Sequence, residues 1–246
     1  MATKIKQIGH ASISENNSKY GEAGDSTKKE VCTVNNYDIS RIQPYVVLRP
    51  KTATLAEASA IACEAGCLNN NIGYSQSTRN TLYNLAKNIN FDLSLVDLCN
   101  TDCSAFMTVC AIAGGANISY GSNGPTTATM RAKFKQSDDY EVLTSTEYTN
   151  SADLLRRGDI LVKEGYHTIM VLKNGNEIPD EPIIDDEDPP VTVEQIITPI
   201  ITDLFANQQF DYSEADTQKV YVRINNKYKQ TAIYLSGSHV VAQLTK

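Results

Sequence analysis

Residues 102–113 (Asp-Cys-Ser-Ala-Phe-Met-Thr-Val-Cys-Ala-Ile-Ala) constrain the fold more than any other stretch. Phe106, Val109, Cys110 and Ala113 recur at helical spacing, and Ala105, Met107, Ala111 and Ile112 fill most of the other faces. A helix apolar almost all round must be buried, so the rest of the chain has to be built around it. Thr101 or Asp102 can cap its start. Cys103 then falls in the first turn, where unpaired backbone N–H groups and the helix dipole favour an anion. A thiol placed there ionises more readily than a free one. The adjacent Asp102 carboxylate opposes that effect, so the site calls for a cation or an imidazole as partner.

The flanking patterns predict helices first and a small antiparallel sheet after them, an α+β order. Strands are expected at 30–34 and 45–49. Thr54-x-x-Glu57 is a capping-box pattern opening a helix through about Cys67. Ser77 can cap a second helix carrying Leu82, Leu85, Ala86 and Ile89. Gly114-Gly115 ends the buried helix, residues 117–125 form a loop, and 126–134 read as a short helix. A strand at 140–143 and a helical turn at 151–156 precede the turn Arg157-Gly158-Asp159. That turn leads into an antiparallel hairpin, 160–163 and 166–172, joined by Glu164-Gly165. Residues 1–30, rich in Ser, Asn, Gly and Lys, read as loop, with Gly9-His10-Ala11 as turn chemistry. These elements define a first domain, 1–176. An acidic, proline-containing linker follows at 177–190. The last module, 191–246, reads as a helix capped by Thr198 with Pro199 at its first position, then strands at 219–224, 228–235 and 239–244.

Charge excludes several functions. The formal net charge is −7. Residues 177–190 hold Glu177, Asp180, Glu181, Asp185, Asp186, Glu187 and Asp188 without a Lys or Arg, which is the whole excess. Nothing forms a basic nucleic-acid footprint or a polybasic membrane patch. No apolar run reaches the roughly 18–20 residues that cross a bilayer, and the N-terminus lacks the apolar core of a secretory signal. A protein of this kind that acts outside a cell is expected to be delivered by something else. The six cysteines are expected to be mostly free thiols, because Cys63, Cys67, Cys103 and Cys110 lie in helical, apolar contexts. Cys63-x3-Cys67 with Cys99-x3-Cys103 is a poor zinc pattern, since structural sites favour two-residue gaps on tight knuckles. The acidic run lacks the glycine-turned loop of a calcium site. No metal or cofactor is expected.

Hydrolysis by a thiol needs an imidazole to take and return the proton, and a group to orient that imidazole. The chain has three histidines. His239 lies in the C-terminal module and His10 in the N-terminal stretch. His167 heads the strand His-Thr-Ile-Met-Val-Leu just after a turn, where a strand can present a side chain to the start of a packed helix. The order is a Cys-headed helix, a Gly-Asp turn, a strand, and a His opening the next strand. It is more informative than any one piece.

Residues 101–105 (Thr-Asp-Cys-Ser-Ala), 157–161 (Arg-Gly-Asp-Ile-Leu) and 167–172 resemble the nucleophile helix, Gly-Asp turn and His strand of the NlpC/P60 and CHAP cysteine peptidases. These are papain-like folds that cut amide bonds in bacterial peptidoglycan. Gly9-His10-Ala11-Ser12, Gly24-Asp25 through Cys32, Ile72–Ser77 and Arg79–Tyr83 further resemble phage-encoded lysins of Gram-positive hosts. The resemblance spans about residues 8–175. It implies Cys103 as nucleophile and His167 as general base and acid, with the Cys103 N–H helping to bind the oxyanion. Tyr74 is the nearest counterpart of an upstream oxyanion-site tyrosine, but it lies farther from Cys103 than the family spacing. The orienting residue is absent from its usual place after the His strand. Asn176, Glu177, Asp180, His10 and Asp25 stay open for that role. The implied protein is a phage peptidoglycan hydrolase, carried in the virion or released from the host cytoplasm to the wall. The module 191–246 would bind wall, phage tail proteins or another copy of the chain. The rival reading is a tail structural component whose papain-like domain recognises wall and cuts poorly.

Overall fold

The fold is described from a computed structural model, which defines residues 3–23, 30–178, 218–224, 227–236 and 239–244. The chain divides into two compact units, Met1–Ile183 and Ile184–Lys246.

In the first unit a six-stranded sheet runs in the order β2-β1-β8-β7-β3-β6, and every neighbouring pair is antiparallel. Its strands are β1 (Lys4–Ala11), β2 (Val31–Asp38), β3 (Val46–Pro50), β6 (Tyr140–Leu143), β7 (Ile160–Lys163) and β8 (His167–Val171). Alternation along the strands splits the core in two. Val46, Leu48, Ile160, Val162 and Met170 join Phe106, Val109 and Cys110 of helix α4 (Cys103–Ala113) and Cys63 of helix α2 (Ala53–Leu68). Val47, Leu161, Ile169 and Val171 point the other way, onto Ile39, Ile42 and Leu155. Mixed helices on an antiparallel sheet make this an α+β arrangement.

The buried helix forms as its pattern requires. Asp102 caps α4 with its carboxylate on the Ala105 N–H at 2.8 Å, and residues 103–111 are all buried. Helix α2 starts two residues earlier than the capping box suggested. Thr52, not Thr54, is the cap, accepting from the Leu55 N–H at 3.2 Å. Glu57 does not turn back onto the helix start, because Arg157 takes its carboxylate at 2.8 Å. The second helix, α3 (Thr81–Ala86), follows Asn80 rather than Ser77 and tightens into a 3₁₀ turn over Lys87–Ile89. The turn expected at 151–156 closes at 152–155 without forming a helix, a short helix precedes it at Thr146–Thr149, and the helix expected at 126–134 lies at Met130–Ser137.

The largest departure is β1. Residues 4–11 are not loop but an interior strand, paired with β2 on one side and β8 on the other. Ile5 and Ile8 are out of phase for a regular strand, yet both belong to one core cluster. The pairing lapses at Lys6, opposite Asn36 with its φ of 52°, and that break lets both isoleucines bury on one side. Gly9 is required within the strand, because a Cβ there would collide with the Cys63 sulphur.

Two three-residue strands, β4 (Ile72–Tyr74) and β5 (Cys99–Thr101), pair in parallel beside the start of α4. The second unit contains an antiparallel meander, β9 (Gln218–Ile224), β10 (Lys227–Ser236) and β11 (His239–Leu244), with β10 central. The expected strands at 219–224, 228–235 and 239–244 coincide with it. The expected helix from Thr198 and most of the acidic linker lie outside the described residues.

Candidate active site

Three elements converge where α4 begins. β5 delivers Thr101, Asp102 follows as cap, and Cys103 takes the first helical position, only 5% exposed. As the first helical residue, its N–H has no acceptor within the helix. The Asp102 carboxylate beside it is held by Arg79, whose Nη2 donates to Oδ1 at 3.0 Å and whose Nε donates to Oδ2. Arg79 also donates to the Ser104 hydroxyl at 2.7 Å and to the Pro125 carbonyl at 2.6 Å, and it reaches the Asn123 carbonyl. One buried guanidinium therefore neutralises the cap and ties the 123–125 loop to the head of the helix.

The other side is made by the sheet. β1 and β8 pair over Ile8–Val171 and Gly9–Met170, and their ladder ends there. The N–H of Leu172 points to β1 and that of Val171 points towards β7, bonding Gln7 and Asp159 respectively. By alternation, the N–H of Thr168 points to the β1 side, beyond the end of that ladder. That N–H and the Ser104 N–H both face the Cys103 thiol and favour its ionised form. The head of α4 thus packs against β8 beside the residue that follows His167. The register places His10 opposite Ile169, on the same face as His167 and one diagonal step away. Their rings meet edge to face, with centroids 5.7 Å apart.

Burial pushes the Cys103 thiol up to about 12, and the Asp102 charge adds to this; the Thr168 and Ser104 N–H groups and Arg79 pull the other way. Burial lowers His167 to about 4, against the opposing pull of Asp102. Burial first, and then the neighbouring His167, brings His10 to about 3. At neutral pH the thiol and both imidazoles rest neutral.

A family model described as the endolysin-like domain matches residues 8–178. The chain belongs to the endolysin-like domain family. No curated protein and no solved structure matches the chain.

The endolysin-like domain gathers some of the residues expected from sequence and disperses others. Tyr74, at the end of β4, is brought into electrostatic reach of Cys103 despite its distance along the chain, and burial lifts its phenol to about 12. The parallel pairing of Tyr74 with Thr101 is what achieves this. Asn176 is not brought in. It sits past the far end of β8 from His167 and donates to Asp153 at 3.2 Å, while the Glu177 N–H bonds the Asp153 carbonyl. Asp25 and Asp180 lie outside the described residues.

Asp159, of the Gly-Asp turn, acts away from the thiol. Fully buried, it takes Arg49 bidentately at 2.9 and 2.7 Å and caps the Arg156 N–H at 2.8 Å. It fixes the entry into the hairpin that carries His167. The residue that sequence reasoning missed is Arg79. It stood in the stretch 79–83 that resembles phage lysins but was given no role, because its partner Asp102 is 23 positions away.

Proposed function

We propose that the endolysin-like domain is a papain-like cysteine hydrolase of the NlpC/P60 and CHAP kind that cuts an amide bond in the peptide part of bacterial peptidoglycan. The observation that carries the reading is the Cys103 sulphur at the head of a buried helix, in electrostatic reach of the N–H that follows His167. In this scheme His167 removes the Cys103 proton as the sulphur attacks the amide carbonyl. The negative charge that develops on oxygen is met by the free N–H of Cys103 and by the dipole of α4. His167 then passes the proton to the departing amine, leaving a thioester. Water, deprotonated by the same imidazole, releases the acid and restores the thiol. A neutral resting pair suits this sequence. Burial holds the thiol protonated at rest, so in this scheme the proton leaves as the sulphur attacks.

The chain would act as a phage lysin on the wall. Residues 177–190 would connect it to a module, 191–246, that binds wall, particle or a second copy. The test is a Cys103→Ala variant against wild type on purified Gram-positive walls. The expected result is that wild type clears the suspension while the variant, folded by circular dichroism, does not. Equal clearing by both would overturn the assignment of the nucleophile. Retained wall binding without clearing by either would favour the non-cutting tail component instead. Mass spectrometry of the released fragments then identifies the bond.

A further inference from the structure

We infer that His10 is the positioning residue for His167, accepting a hydrogen bond through Nδ1, and that Cys32 fixes the tautomer that makes Nδ1 an acceptor. The inference rests on the reading of Cys103 and His167 as the reacting pair, and it names what holds the imidazole.

Once His167 takes the Cys103 proton it has two N–H groups, and the second needs an acceptor in a site with little water. Asp102 is the nearby carboxylate, but it is already committed to Arg79 and to the helix head. Oδ1 accepts from the Ala105 N–H at 2.8 Å, from the Ser104 hydroxyl at 3.0 Å and from Arg79 at 3.0 Å, and Oδ2 accepts from Arg79. Asn176 is bound to Asp153, away from the site. His10 lies on the same sheet face as His167 with its ring centroid 5.7 Å away.

The two nitrogens of His10 differ. Nε2 is 3.6 Å from the Cys32 sulphur, its cross-strand neighbour on β2. Nδ1 is buried with no hydrogen-bond partner. A proton on Nδ1 would strand a buried N–H, which folded proteins avoid. On Nε2 it points at sulphur, leaving a bare lone pair on Nδ1. A buried nitrogen kept unpartnered is an acceptor waiting for a donor, and the donor that forms during the reaction is the imidazolium of His167. The strand β1 therefore supplies from the N-terminal side what a strand following the His strand would otherwise provide.

The experiment uses the full chain, labelled with ¹⁵N in its histidines. Long-range ¹H–¹⁵N correlation spectra are expected to show His10 protonated at Nε2 at pH 7; protonation at Nδ1 would overturn the inference. In parallel, His10→Asn keeps an acceptor near the δ position and His10→Leu does not. His10→Leu is expected to slow wall clearing about 10- to 100-fold, a fraction of what a positioned base contributes, with His10→Asn within about threefold of wild type. Equal rates for wild type and His10→Leu would also overturn it. If the leucine variant fails to fold, the wild-type spectrum still decides. Clearing by Cys103→Ala would remove the reacting pair itself, an outcome distinct from any change in the His10 tautomer.

Discussion

Replacing Arg79 with Met keeps the length of the side chain and removes its charge and donors. Arg79 is 9% exposed and Asp102 8% exposed, so the pair is shielded from the solvent screening that makes surface ion pairs weak. The substitution leaves Asp102 with only the Ala105 N–H and the Ser104 hydroxyl as donors, and leaves the Pro125 and Asn123 carbonyls without the guanidinium. Removing one member of a buried ion pair costs about 3–5 kcal/mol, because the remaining charge is stranded. For a domain of this size each kcal/mol moves the melting midpoint by roughly 2–4 °C, so a fall of roughly 6–20 °C is expected by thermal unfolding. The double variant Arg79→Met/Asp102→Asn removes the stranded charge and should recover part of that loss. A second readout is alkylation of Cys103 by iodoacetamide. It should be slower in Arg79→Met than in wild type, since Asp102 then opposes the thiolate uncompensated. A fall below about 2 °C, corresponding to less than about 1 kcal/mol, would refute the claim that the pair braces the helix head.

Two further outcomes follow from the same geometry. His167 and His10 fall from 6.5 to about 4 and about 3 in the folded chain, so between those values and 6.5 the unfolded chain binds more protons; stability contributed by their neutral burial is complete above about pH 6.5 and lost as the pH falls towards 4. Urea midpoints at pH 7.5, 6 and 5 should decline in wild type and decline less in a His10→Asn/His167→Asn double variant, and identical slopes would contradict the assignment. Gly158 has a φ of +90°, and a Cβ there would lie 2.7 Å from the Ala56 backbone. Gly158→Ala should therefore lower the unfolding free energy by roughly 2 kcal/mol or more in urea titration, and an unchanged midpoint would show that the turn tolerates another backbone.

What was legible in the sequence was the part fixed by local pattern. Helix α4 follows from an apolar surface with a capping aspartate at its start, and the β7–β8 hairpin from glycine turns between apolar runs. What was not legible depended on partners far along the chain. Thr54 with Glu57 made the capping box, but Thr52 is the cap, and Glu57 is taken by Arg157 a hundred positions on. β1 lacks the alternation of a half-buried strand because the ladder lapses at Lys6, so its composition read as loop. Strands β4 and β5 have three residues each, too few to show a period, yet their pairing brings Tyr74 to the thiol. His10 illustrates the limit best. It was one of five candidates for the orienting role, and its relation to His167 exists only because β1 lies beside β8.

The head of α4 has to satisfy two demands that conflict. A buried helix needs an acceptor for its first N–H groups, and aspartate supplies one strongly. A nucleophilic thiol in the next position needs the opposite charge nearby. Serine or threonine as cap would avoid the conflict, but neither would hold the 123–125 loop. Aspartate with Arg79 does both: the carboxylate caps, the guanidinium offsets its charge, and the remaining donors reach Asn123 and Pro125. With that charge only partly offset at the sulphur, burial first and Asp102 second keep the thiol protonated at rest. In the proposed mechanism the reactivity of Cys103 would then rest on how well His167 is aimed, at the place where β1 and β8 part.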